Sequence, residues 1–212
     1  MAVRAAGKGA ETKQAILTHA LALASKVGME GLTIGRLADE LGMSKSGLIA
    51  HFQSKEALQV QVLETGANRF VEDVLRPALK APRGEPRLRA LFDSYLAWES
   101  SPSLPGGCPL IAASTELDDR PGPARDYLVR AQRDMFDLIA GTVRSAIQEG
   151  QFRPDVDADQ FAYEFWGAML AFHHASRLMR DAKARQRAQA AFDSLVHRAR
   201  AVPATALARH RK

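Results

Sequence analysis

The sequence predicts an all-α protein. Apolar residues recur at helical spacing along nearly the whole chain, and no run alternates apolar and polar residues in the β manner. Glycine and proline clusters fall mostly between the periodic segments, where chain breaks belong. The 212 residues suffice to bury a sizeable core, as one large domain or two small ones. Hydrophobic residues make up 46% and charged residues 25%, which argues against a disordered chain or a membrane-embedded one. No apolar stretch reaches the ~18 residues a membrane span needs, and the polar, basic opening does not read as a signal peptide. The expected compartment is the cytoplasm.

The elements follow in order, about nine helices in all. Ile16, Ala20, Ala24 and Val27 lie on one face of a first helix that Gly28 stops. Thr33 stands at the N-cap of a short second helix, with Ile34, Leu37, Ala38 and Leu41 on its apolar face and Gly42 at its end. Ser44 caps a third helix through about residue 51, with Leu48 and Phe52 pointing inward. Ser54 caps a long fourth that Pro77 breaks or ends. A proline-rich loop over 77–86 leads to a fifth helix carrying Leu88, Leu91, Tyr95 and Trp98. Beyond the break at 101–107 comes a short helix over 108–117, and then a long one over 124–149 that Gly150 ends. Asp157 with Gln160 forms a capping box for the next, to about residue 180, and a last helix runs over 184–197.

Charge is unevenly spread. Residues 1–55 hold seven bases against four acids, a balance of +3, and residues 177–212 hold ten against two, or +8. The net +5 leaves the middle at −6. Basic ends suit a polyanionic partner, although a basic tail equally describes a solvated helix face. The single cysteine, Cys108, excludes an internal disulfide and a cysteine-rich metal site. Adjacent His173 and His174 diverge by about 100° on a helix and do not share one ion. No cofactor or metal site is expected.

Function concentrates in Thr33 to Leu58. Two short helices joined by a tight turn at Gly42 can cross steeply on the first helix and leave the outer face of the second exposed. Such a helix fits the B-DNA major groove, with its N-terminal residues nearest the base edges. Those residues, Ser44, Lys45, Ser46 and Gly47, are small or basic, as close approach to a polyanion requires. A helical hairpin that only packs a bundle has the same spacing. The wording of the segment decides. Thr33, Leu37, Ala38, Gly42, Met43, Ser44, Lys45, Leu48, Phe52, Ser54, Lys55, Glu56 and Leu58 stand in the order and spacing of the tetracycline-repressor family, which the chain resembles over residues 12–60.

The resemblance implies a three-helix DNA-binding domain over 1–55, a larger effector-binding and dimerisation domain over 56–202, and a basic tail over 203–212. It implies a homodimeric repressor that a small molecule releases from a near-palindromic double-stranded operator. The other readings are a regulator without an effector, an activator and, most remotely, an enzyme using Cys108. Lys45 would meet a phosphate or a guanine edge, Lys55 and Thr33 a phosphate, and Ser46 a base or the backbone. Arg36 and His51 are flanking candidates. Ser44 and Thr33 equally serve as caps. Two departures weaken borrowed operator rules: Ile49 stands where the family's phosphate-binding tyrosine is usual, and Gly47 where a threonine is usual. Ile49 would meet a thymine methyl or simply pack.

On the helix after Asp157 the apolar residues cover more than half the circumference, beyond the ~100° stripe of a surface helix. Phe161, Phe165 and Met169, with Ala188, Ala191, Phe192 and Leu195 of the last helix, are therefore expected at a twofold four-helix interface, or in an unusually buried core. Trp98, Met135, Phe136, Trp166, Phe172 and His173 are candidate pocket residues, each equally at home in a core.

Overall fold

The computed structural model describes residues 2–201, with side chains from residue 9 onward. Among them are ten α-helices and no strand, only an isolated bridge between Phe152 and Arg200. The helices are α1 (Ala2–Gly31), α2 (Ile34–Leu41), α3 (Lys45–Phe52), α4 (Lys55–Phe70), α5 (Arg76–Leu79), α6 (Glu85–Glu99), α7 (Pro109–Leu117), α8 (Pro123–Gln148), α9 (Ala158–Arg177) and α10 (Ala184–Ala199). None is long and apolar enough to cross a membrane. The expected basic tail lies outside the described residues.

The helix beyond the expected nine is α5. Pro77 was expected to break or end the fourth helix, yet helical structure continues through it by way of a π-helical turn at Val71–Leu75. A proline inside an α-helix collides with the carbonyl of the preceding turn and lacks the N–H that would bond to it. The wider π turn shifts the hydrogen-bond register before the ring arrives. Pro77 then sits in the first turn of α5, where a missing N–H costs little.

The described residues form two compact units. One is residues 2–71 together with Trp98–Ala131; the other is Glu72–Ala97 with residues 132–201.

In the first unit α1 packs on α4 and α7. Ile16, Ala20, Leu21 and Ala24 are buried there, as the periodicity requires. Gly28 interrupts α1 with φ 75° and ψ 175°, a region almost closed to other residues, and one further turn reaches Gly31. Gln59, buried on α4, donates its Nε2 to the Met29 carbonyl at 2.7 Å and so ties α4 to that turn. The 101–107 loop is pinned to α1, where the Gly106 N–H donates to Ser25 Oγ at 3.0 Å. A Cβ on Gly106 would lie 1.5 Å from the Ser25 carbonyl oxygen, so only glycine permits this approach.

In the second unit α9 and α10 pack against each other around an aromatic cluster. Phe92 of α6 stacks on Phe192 at 4.4 Å, and Phe165 meets both rings edge-on at 5.3 and 5.5 Å. Arg89 covers the Phe192 ring at 5.7 Å while pairing with Glu85 and Asp193, and Arg200 also grips Glu85. Tyr95 donates its hydroxyl to the Met169 carbonyl at 3.1 Å. This arrangement corrects the expected dimer surface. Phe161, Phe165, Met169, Ala188, Phe192 and Leu195 fill the unit's own core, because α9 and α10 spend these faces on each other and on α6. Of that set only Ala191 is exposed. The open face of α9 carries Tyr163, Gly167, Leu170 and Ala171 instead.

Candidate nucleic-acid interface

The turn between α2 and α3 is built as its sequence dictates. Thr33 accepts the Arg36 N–H on its side chain at 3.1 Å and the Leu37 N–H on its carbonyl at 3.0 Å, opening α2. Gly42 closes α2 in the left-handed conformation, φ 62° and ψ 28°. Ser44 then caps α3, its Oγ accepting the Gly47 N–H at 3.1 Å and lying 3.2 Å from Ser46 Oγ. Leu37, Ala38, Leu48 and Phe52 are buried; α2 and α3 pack on each other, and α3 also packs on α4. Lys13 of α1 adds its ammonium over the Phe52 ring at 5.7 Å.

This packing leaves one face of α3 open. Lys45, Ser46, Ile49 and Ala50 are exposed on it, followed by Gln53, whose φ of 64° ends the helix. The Lys45 stem passes over Gly35 of α2, where a Cβ would stand 3.4 Å from Lys45 Cε, an ordinary van der Waals contact. His51 is half-buried beside the Phe52 ring at 6.1 Å. Arg36 is exposed and lies 3.7 Å from Glu40, which also binds His19 at 2.9 Å. The predicted contact residues Lys45, Ser46, Gly47 and Ile49 thus share one helix, while Thr33 and Ser44 both serve as caps.

Lys55 opens α4 immediately after the Ser54 cap. Its ammonium donates to the Glu30 carbonyl at 3.1 Å and to Glu30 Oε2 at 3.2 Å. Arg120 holds the other carboxylate oxygen at 2.8 Å, and the Glu30 N–H donates to Glu116 Oε2 at 2.8 Å. Lys55 first, then Arg120, keep the Glu30 carboxyl below the usual carboxylate range. Glu116 lies so close to Gly28 that a Cβ on that glycine would meet its Oε1 at 2.0 Å. Sequence reasoning missed Glu30, Glu116 and Arg120. Glu116 is 86 residues from Glu30, and no local pattern announces such a pairing.

The pocket candidates are divided. Trp98 belongs to the first unit, buried edge-on to Phe70 at 5.6 Å, and the other five belong to the second. There Met135 and Phe172 are buried, Phe136 and Trp166 are half-buried with rings 5.1 Å apart, and His173 is half-buried. Cys108 is buried, and burial pushes its thiol up to about 11. Among the described residues no cluster of three metal-ligating side chains occurs.

Two family models match the chain: bacterial regulatory proteins of the tetR family over residues 16–62, and the tetracyclin repressor-like C-terminal domain over 84–192. The HTH-type transcriptional regulator RutR of Escherichia coli K12 is 29% identical over 184 residues, covering 79% of this chain and 78% of RutR. The class C tetracycline repressor protein of Escherichia coli is 48% identical over 46 residues, 22% of this chain and 21% of that one. Among solved structures, a TetR transcriptional regulator from Chloroflexus aurantiacus superposes with TM-score 0.80 at 26% identity, covering 90% of this chain and 94% of that one. AibR in complex with isovaleryl coenzyme A and operator DNA superposes with TM-score 0.71 at 26% identity, covering 87% and 97%. The chain belongs to the tetracycline-repressor family and is a DNA-binding transcriptional regulator.

Proposed function

We infer that the chain is a homodimeric repressor whose two α3 helices enter successive major grooves of a near-palindromic operator, about 34–36 Å apart. The carrying observation is the open face of α3, with Lys45 at its N-terminal end and small residues behind it. Residues 1–55 read DNA, while 56–202 bind the effector and the partner copy. Lys45 and Lys55 take phosphates or base edges, with Thr33, Arg36, Ser44, Ser46, Gly47, Ile49 and His51 around them. The open α9 face of Tyr163, Gly167, Leu170 and Ala171, beside Ala191 of α10, supports docking of a second copy there.

A small molecule releases the operator by preferring a state with altered α3 spacing; only differential affinity for two states can do so. AibR unites an acyl-coenzyme A ligand and operator DNA on this fold, which supports a small-molecule effector here. The half-buried Phe136, Trp166 and His173 supply aromatic and polar contacts for it. A buried thiol pushed up to about 11 supports a non-enzymatic role, since the nucleophile would be the thiolate.

The test is a mobility-shift and footprint assay on the DNA upstream of the chain's own gene against excess bulk competitor. A protected near-palindrome that survives competition, and is released by one of a panel of metabolites, is the expected result. Binding that bulk DNA abolishes would overturn sequence-specific repression. A footprint that no metabolite changes would remove the effector.

A further inference from the structure

We propose that Ile49, with Ala50 beside it, reads thymine methyl groups in each operator half-site. This rests on α3 being the helix that enters the major groove. Ile49 is 50% exposed. It lies in the second turn of α3, about 6 Å along the axis from Lys45. Around the helix it stands about 100° from the buried Leu48 and about 60° from the buried Phe52, at the border of the packed face, and half of its surface stays open. Ala50 is exposed next to it.

The chemistry left for hydrogen bonding on this face is sparse. From Ser46 to Ala50 the only hydrogen-bonding side chain is Ser46, and its hydroxyl lies 3.2 Å from Ser44 Oγ. Gly47 has no side chain, and a Cβ there would stand only 3.2 Å from the capping Ser44 oxygen. The face therefore offers a cation at its N-terminal end, a short hydroxyl, an apolar ridge, and the Gln53 amide only beyond its C-terminal end. Among base edges in the major groove, the thymine C5-methyl is the apolar group; the others are donors and acceptors. Placing the Ile49 side chain against a donor or acceptor would desolvate that group without a partner, which is penalised. Against a methyl, both surfaces leave water together. The small Gly47 and Ala50 let the helix approach closely enough for that contact. Ile49 thus selects thymine by attraction and disfavours other bases by the unpaired groups it would cover.

The full chain is used to enrich sites from a random duplex library, and the enriched site is then synthesised with each dT replaced singly by dU. Loss of one contacting methyl should weaken binding about fourfold, the equivalent of one buried carbon at ~0.8 kcal/mol. That loss should fall at one or two positions per half-site, with binding to unrelated duplex unchanged. Ile49→Ala should bind the dT site more weakly and lose the dT-over-dU preference at one of those positions. An enriched site indifferent to every dU replacement, or Ile49→Ala that keeps the full preference, overturns the proposal and leaves specific DNA binding standing. Failure of any site to enrich overturns specific recognition itself, and this inference with it.

Discussion

At the scale of single residues, the lysines that open α3 and α4 differ in what holds them. Lys45 projects over Gly35, whereas Lys55 is bonded to Glu30 at two points. If both meet phosphates, Lys55→Ala should reduce the magnitude of the salt slope of operator binding by about one per subunit. Fluorescence anisotropy across a salt series reads this, and an unchanged slope removes Lys55 from the contact set. Lys45→Ala should lower operator affinity roughly tenfold or more, consistent with the ~1–3 kcal/mol of a base-edge contact. Glu30 has its own signature. Its carboxyl is held below the usual range in the folded protein by Lys55 and Arg120, so the folded state binds its proton less readily than the unfolded chain does. That contribution to stability is present above the unfolded carboxylate range and is lost as pH falls through the depressed folded value. Urea unfolding at stepped pH should show Glu30→Gln losing part of the acid sensitivity of the parent, and an identical pH profile would dismiss the network as a stabilising one.

At the scale of elements, glycines that look alike in sequence carry different loads. Gly28 and Gly42 both have positive φ. A Cβ added at Gly42 would meet nothing within 4 Å, and the residue lies in the left-handed helical region, where an alanine costs about 1 kcal/mol. Gly28, at ψ 175° and against the Glu116 carboxylate, should cost about 1–3 kcal/mol. Thermal melts should therefore show Gly28→Ala falling clearly further than Gly42→Ala; equal shifts would contradict the Glu116 contact. The same contrast explains what the sequence could reveal. Caps at Thr33, Ser44, Ser54 and Asp157 are local signals and stand where expected. The π turn before Pro77 was not legible, because α5 after it has only four residues, too few to show the shifted apolar phase. Nor was the inward direction of Phe165 and Phe192: a helix apolar over most of its surface states that it is buried, not by what. Most of the open face of α3 was legible because Leu48 and Phe52 mark the packed side, whereas Ile49, as apolar as they are, had to be seen to be exposed.

At the scale of the whole molecule, the proposed dimer and the fold draw on different faces of α9. Leu170→Glu changes an exposed position and should leave protomer stability within about 0.5 kcal/mol while splitting the dimer in sedimentation velocity. Phe165→Ala removes a fully buried ring and should cost about 3–5 kcal/mol in urea unfolding. A Leu170→Glu chain that still sediments as a dimer would send the interface elsewhere. The burial of Cys108 has a practical corollary for such work. The chain holds one cysteine, and its thiol, enclosed and raised to about 11, offers little thiolate to a maleimide at neutral pH. The native sequence is thus already a silent background for single-site labelling. A cysteine installed at exposed Ala190 would take a fluorophore or spin label alone, and could report distances between subunits without first stripping the protein of sulfur.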